Sequence, residues 1–168
     1  MESAPQHEAD ARSTVFLMPV FEDRASVSAL MADLALFSGI ARPHCVLVED
    51  GSVRDPVGAA DIAAAGATGE VLSLVRNMGH QRAIATGLAY VAREYPDATV
   101  VVMDADGEDR PDAVPALLEA LRDPKLDAVV AERRRRSEPL GFRVFYVLYR
   151  WLFQLVTGRS IRFGNFCA

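Results

Sequence analysis

The segment VVVMDADGEDRP (100–111) constrains this chain most: an apolar run that stops abruptly in clustered carboxylates. Val100, Val101, Val102 and Met103 read as a strand buried on both faces, because such a strand carries no polar alternation. Asp104 and Asp106 then fall where the strand emerges into a loop. In open α/β sheets, ligands bind beyond the carboxyl ends of the strands. Two acids one residue apart at such an end can offer oxygens to a divalent cation carrying a diphosphate, since Mg²⁺ binds through one or two carboxylates plus substrate phosphates. An Asp-x-Asp tripeptide arises by chance in a chain with 23 acidic residues, so its weight comes from its place after a buried strand.

The remaining periodicity alternates strand and helix. TVFLMPV (14–20) predicts a strand, and Val27, Leu30, Met31 and Leu34 follow at i, i+3, i+4, i+7, one face of a helix. HCVLVED (44–50) predicts a second strand, closed by Gly51 and Ser52; an Ala/Gly-rich stretch (56–69) holds a short helix, and VLSLV (71–75) a third strand. Ile84, Gly87, Leu88 and Val91 mark another helical face, and Pro111 and Asp112 open a helix with Val114, Leu117, Leu118 and Leu121 on its buried side. LDAVVAE (126–132) predicts a fifth strand. Such βαβ alternation predicts an α/β domain with a mostly parallel sheet covered on both faces. No internal repeat is present.

A length of 168 residues with 51% hydrophobic and 24% charged residues suits one globular domain, and a net charge of −5 argues against a nucleic-acid partner. Cys45 and Cys167 lack metal-ligand spacing; Cys45 opens an apolar run, as a buried reduced thiol of a cytoplasmic protein would. Residues 1–13 are polar without an apolar h-region and read as a disordered tail rather than a secretory signal. No run reaches the roughly 18 uninterrupted apolar residues that span a bilayer. Eight of the 13 aromatic residues nevertheless fall between Phe142 and Phe166. Residues 140–156 predict a helix whose polar stripe is only Arg143, Arg150 and Gln154, either a core helix or one lying in a membrane interface. The chain thus divides into a tail (1–13), an α/β body (14–136) and an aromatic-rich end (137–168).

Three more strand ends are expected on the rim that carries Asp104: PVFED (19–23), EDGS (49–52) and RNMG (76–79). A parallel sheet brings Asp23, Asp50, Arg76, Asp104 and Asp106 to one edge. Each also has a plain structural reading: Asp50 can shape an Asx turn, and Arg76 can pair with a surface acid.

Taken in order, PVFED, VLVEDGS, LVRNMGHQRAIATGL and VVVMDADGEDRP resemble the inverting family-two glycosyltransferases of the GT-A fold, a Rossmann-like three-layer sandwich. The resemblance is greatest to the dolichyl-phosphate mannose synthase-like, polyprenyl-phosphate sugar transferase group, over roughly residues 14–136. It implies that Pro19, Phe21 (usually Tyr in the family) and Asp23 line a nucleoside pocket, and that Val48 and Asp50 contact base and ribose. Asp104 and Ala105 would bracket ribose and diphosphate, and Asp106 with Glu108 would ligate Mg²⁺ or Mn²⁺. Arg133, within the basic run 133–136, falls on the family arginine that approaches the donor diphosphate, and Arg136 would serve an acceptor phosphate. The reaction implied is transfer from a UDP- or GDP-sugar with inversion, with a polyprenyl phosphate as acceptor and the enzyme peripheral on the inner face of the cell membrane.

The histidines are poor catalytic candidates on sequence: His7 is in the tail, His44 begins a strand, and His80 stands where relatives often carry Lys. The chain end departs from the family, reading GNFCA (164–168) where relatives read GDFRL or SGFR; Asn165 cannot accept a proton as an acid at its position would. Relatives continue further, so the chain is expected to be the donor-binding part of such an enzyme. The rival readings are a truncated or degenerate nucleotide-sugar-binding module without turnover, and a metal-dependent nucleotidyltransferase. The latter should carry a glycine-rich basic loop after its first strand, where PVFED is acidic.

Overall fold

A computed structural model describes residues 14–107, 109–131 and 166–168. The predicted tail, the helix over 140–156, Glu108, Arg133, Arg136 and Asn165 lie outside the described residues. The elements run β1 (Thr14–Val20), α1 (Arg24–Phe37), β2 (His44–Glu49), α2 (Ala59–Ala64), β3 (Thr68–Ser73), α3 (His80–Glu94), β4 (Thr99–Val102), a 3₁₀ turn (Pro111–Ala113) and α4 (Val114–Ala120). The four strands form one parallel sheet in the order β3-β2-β1-β4.

The pleat of the central strands divides the core in two. Phe16, Met18, Cys45 and Leu47 face α1, α2 and α4, meeting Val27, Leu30, Met31, Leu34, Ile62, Val114 and Leu117. Val15, Leu17, Val46 and Val48 face the other way onto Ala83, Ile84 and Val91 of α3. Alternate residues of one strand therefore serve opposite helical layers, which is why β1 is buried at all seven positions and carries no polar alternation. The expected three-layer α/β/α arrangement is the one observed. Complete burial pushes the Cys45 thiol up to about 12.

Several expectations are corrected. The third strand starts three residues before the predicted 71–75 and ends at Ser73, because it pairs residue for residue with β2 from His44↔Thr68 to Glu49↔Ser73. Val75 is left fully exposed. On α3, Leu88 is exposed and Ala83 takes its place in the buried stripe. Leu121 lies just beyond α4, capping it through a bond to Leu117 O, and is only half-buried. The predicted fifth strand is reduced, among the described residues, to a short antiparallel pairing. Val129 and Ala168 exchange backbone bonds, and Cys167 exchanges them with Val102 of β4, so residues 166–168 stand between β4 and 129–131.

At the amino end of the strands, Glu70 accepts hydrogen bonds from Tyr95 (2.6 Å) and Tyr90 (2.7 Å), and His44 Nε2 lies 3.1 Å from the Tyr95 hydroxyl. The bond to Glu70, with burial, pushes Tyr95 up to about 12. His44 thus belongs to a structural network on the edge opposite the candidate site.

At Gly87 the helix α3 lies directly on the sheet: an added Cβ would collide with Leu17 and lie 2.7 Å from Val48 Cγ2. Alanine is the better helix former by about 1 kcal/mol, yet overpacking costs about 1–3 kcal/mol. Gly87→Ala is therefore expected to lower the urea midpoint at unchanged slope, and a raised midpoint would show that the layers separate freely.

Candidate functional site

The carboxyl ends of all four strands share one rim, and the loops that leave them are tied together by carboxylates. After β1, Phe21 is half-exposed and Glu22 takes a left-handed φ of 54°. The Glu22 carboxylate accepts the N–H groups of Val53 (2.8 Å) and Arg54 (3.2 Å), and its own N–H donates to Ser52 Oγ (2.7 Å). The Val53 amide foremost holds the Glu22 carboxyl below its ordinary value. Glu49, buried at the end of β2, accepts from Ser52 N (3.0 Å) and Val57 N (2.7 Å). Arg24 pairs with Asp61 (2.7 Å) and Asp55 (3.3 Å). The loop after β2 is thereby held from both sides.

Asp50 is the hub. Its side chain is 3% exposed, and its two oxygens accept from Met78 N (2.7 Å) and Gly79 N (2.9 Å) at the start of α3. Its own N–H donates to Val20 O of β1 (2.8 Å). The neighbouring Gly51, at φ +77°, lets the two loops touch: a Cβ there would lie 2.5 Å from the Arg76 carbonyl carbon. Asp50 therefore neither shapes a local Asx turn nor keeps an oxygen without a partner; both serve amides 28 and 29 residues away.

After β4, the Asp104 N–H donates to Asp109 Oδ2 (2.7 Å), and Asp109 is 4% exposed. Gly107 at φ +80° helps the turn close. Asp104 Oδ1 is buried and lies 3.3 Å from His80 Nε2. Asp106 is exposed and lines a cleft of about 490 Å³ between α1 and the 105–112 segment, with Asp33, Phe37, Arg110 and Asp112 among its walls.

The other predicted site residues divide by burial. Pro19, Val48 and Ala105 are buried, Val48 with no exposed surface beneath α3 and Ala105 in the α1-side core. Asp23 caps α1, accepting from Ser26 N at 3.3 Å. Arg76 is exposed on the rim. Sequence reasoning missed Glu22, Glu49 and Asp109 as loop clamps, and it set aside His80, which contacts Asp104. The one available signal for His80 was its place in the RNMGHQ motif at a helix start.

Among the described residues no group of three or more His, Cys, Asp or Glu is assembled as a metal cage. The expected ligand Asp106 offers carboxylate oxygens, a donor chemistry that suits Mg²⁺ or Mn²⁺.

The protein-family model for glycosyl transferase family 2 matches residues 16–164. The crystal structure of TarS 1–349 from S. aureus superposes with a TM-score of 0.55 at 14% identity, over 76% of this chain and 38% of that one. A mycobacterial protein of known crystal structure superposes with a TM-score of 0.63 at 21% identity, over 100% of this chain and 58% of its own. The chain thus spans less than two-thirds of either neighbour, and the likeness establishes the GT-A, Rossmann-like fold. No curated protein matches the chain.

Replacing the Asp50 hub tests the rim's construction. Asp50→Asn removes charge from two buried amide bonds, and hydrogen bonds to charged groups contribute about 1.5–3 kcal/mol. The variant should lose stability in that range, with faster amide exchange at Met78 and Gly79; unchanged exchange would deny the clamp. The Glu22 latch should respond to acid. Its folded pKa lies below its unfolded value, so its contribution is complete above the unfolded value, about 4.3, and is lost as pH falls through the depressed one. Exchange at Val53 and Arg54 should accelerate in that acid window in the wild type. In Glu22→Gln it should be fast already at neutral pH.

Proposed function

The chain belongs to glycosyl transferase family 2, and we propose that it binds a UDP- or GDP-sugar on the rim of its sheet and transfers the sugar, with inversion, to a polyprenyl phosphate. The observation that carries the donor reading is the placement of Asp104 and Asp106 at the end of β4, on the same rim as the loops after β1, β2 and β3. The motifs that resemble the family lie on those loops. The lipid-phosphate acceptor is supported by the polyprenyl-phosphate character of those motifs and by the aromatic-rich stretch 142–166. Among the described residues no helix is long and apolar enough to cross a membrane. Contact with the cytoplasmic membrane surface is assigned to the aromatic end of the chain, which holds eight of the 13 aromatic residues.

The roles follow from charge. Phe21 borders the nucleoside, while Asp104 faces ribose and diphosphate. Asp106 with Glu108 would hold Mg²⁺ or Mn²⁺, which supplies neutralisation of the diphosphate when bound. The Arg133 guanidinium meets charge that grows on the departing nucleoside diphosphate. The acceptor oxygen bonds to the anomeric carbon from the face opposite the diphosphate, whose oxygen leaves with the bonding pair. A phosphate acceptor is already anionic, so Asn165 in place of an acid does not stop the reaction. Arg136 orients that phosphate.

Calorimetry of UDP and GDP, with Mg²⁺ and with EDTA, on wild type and Asp106→Asn tests this. One nucleotide should bind in Mg²⁺ at least about tenfold more tightly than in EDTA or to the variant, since each charge-assisted contact contributes about 1.5–3 kcal/mol. Equal affinity throughout would remove the metal from the site, and no binding by either nucleotide would remove the donor. Transfer to a short-chain polyprenyl phosphate, with the anomeric configuration read by NMR, tests acceptor and inversion.

A further inference from the structure

Phe21 is bracketed by bonds to the loop after β2. On one side Val20, the last residue of β1, accepts the Asp50 N–H at 2.8 Å. On the other, the Glu22 N–H donates to Ser52 Oγ at 2.7 Å, and the Glu22 carboxylate accepts the N–H groups of Val53 at 2.8 Å and Arg54 at 3.2 Å. The Arg54 guanidinium stands 3.4 Å from the same carboxylate. The loop itself is fixed without Glu22: buried Glu49 accepts from Ser52 N and Val57 N, and Arg24 pairs with Asp55. Glu22 therefore reaches across to a fixed anchor. Between the two brackets Phe21 stays 49% exposed on the rim.

Glu22 holds this place against its backbone preference. Among the described residues it alone, apart from glycines, has a positive φ, at 54°. A side chain of its size is strained there, and such strain persists only where surrounding bonds over-determine it. Glycine would adopt the turn freely. What glutamate adds is a carboxylate long enough to reach the amides of residues 53 and 54. We infer that Glu22 is a positioning residue for the nucleoside of the donor, acting through Phe21. An aromatic ring meets another flat ring in a narrow set of offset-stacked or edge-on arrangements. A ring whose backbone is pinned on both sides is in place before the ligand arrives, so ordering it no longer opposes association. The inference rests on the donor reading above and adds to it the residue that prepares the nucleoside side.

The test uses Glu22→Gln, Glu22→Gly, Phe21→Ala and the double variant Phe21→Ala/Glu22→Gly, each titrated calorimetrically with UDP and with GDP in Mg²⁺. Glu22→Gln and Glu22→Gly should each bind the preferred nucleotide about fivefold to tenfold more weakly, the range of one hydrogen bond. Phe21→Ala should lose at least as much. Glu22→Gly removes the backbone strain together with the latch, so its melting temperature should stay close to that of the wild type while its affinity falls. In the Phe21→Ala background, Glu22→Gly should weaken binding no further, because the two residues act as one unit. A further loss there would mean that Glu22 acts elsewhere on the rim, and would overturn the inference. So would Glu22 variants, or Phe21→Ala, that bind as the wild type does. The donor reading fails differently: the wild type then binds neither nucleotide, and the positioning role falls with it. Nucleotide binding that ignores Glu22 overturns the positioning role alone.

Discussion

The rim is organised by one buried carboxylate, that of Asp50. A charge removed from water is tolerated only with strong partners, and the start of α3 provides them in Met78 N and Gly79 N. The first amides of a helix lack partners within the helix, and its positive end favours an anion. One side chain thus ties the turn that leads into α3, through Met78 N and the cap Gly79 N, to the end of β2. Its backbone N–H extends the β1–β2 ladder to Val20 O, so β1, β2 and α3 meet at a single residue. The loop contact that Gly51 permits at Arg76 follows from that juncture, and so does the location of His80.

A second regularity separates the acids of the rim by burial. Glu49, Asp50 and Asp109 are buried, and each accepts main-chain N–H groups. Asp104 is partly exposed and Asp106 is open to the cleft. A carboxylate bound to amides has its charge spread over fixed dipoles and its lone pairs engaged, so it holds loops well and ligands poorly. The cluster that looks in sequence like a single acidic site is therefore a scaffold of three acids carrying a smaller pair.

The parts legible in sequence were those governed by local pattern. The stripe Val27, Leu30, Met31, Leu34 is the buried face of α1, because a 3.6-residue period on one face leaves no other arrangement. β1 and β4 were marked by apolar runs. β3 was misplaced by three residues because its register is dictated by β2, and its own apolar residues, 71–75, run past the end of that partner. The rim was legible as a place, since parallel strands end together. Its wiring was not. That Asp50 serves amides 28 and 29 residues away, and that His80 meets Asp104 across 24, depends on how α3 crosses the sheet. Nothing in the local sequence of either partner encodes that distance.

The charge balance at this rim bears on what can bind there. A diphosphate brings negative charge toward Asp104 and Asp106, and two like charges 4 Å apart near a protein surface repel by about 4 kcal/mol. The three scaffold acids add little to this, because amide dipoles already face them. One exposed and one largely buried carboxylate still oppose the approach of a bare diphosphate. Countercharge must enter with the ligand or stand beside it. His80 lies at ion-pair distance from Asp104, and Arg76 is exposed on the neighbouring loop. Under the proposed function, a divalent cation entering with the donor would offset the repulsion at Asp106.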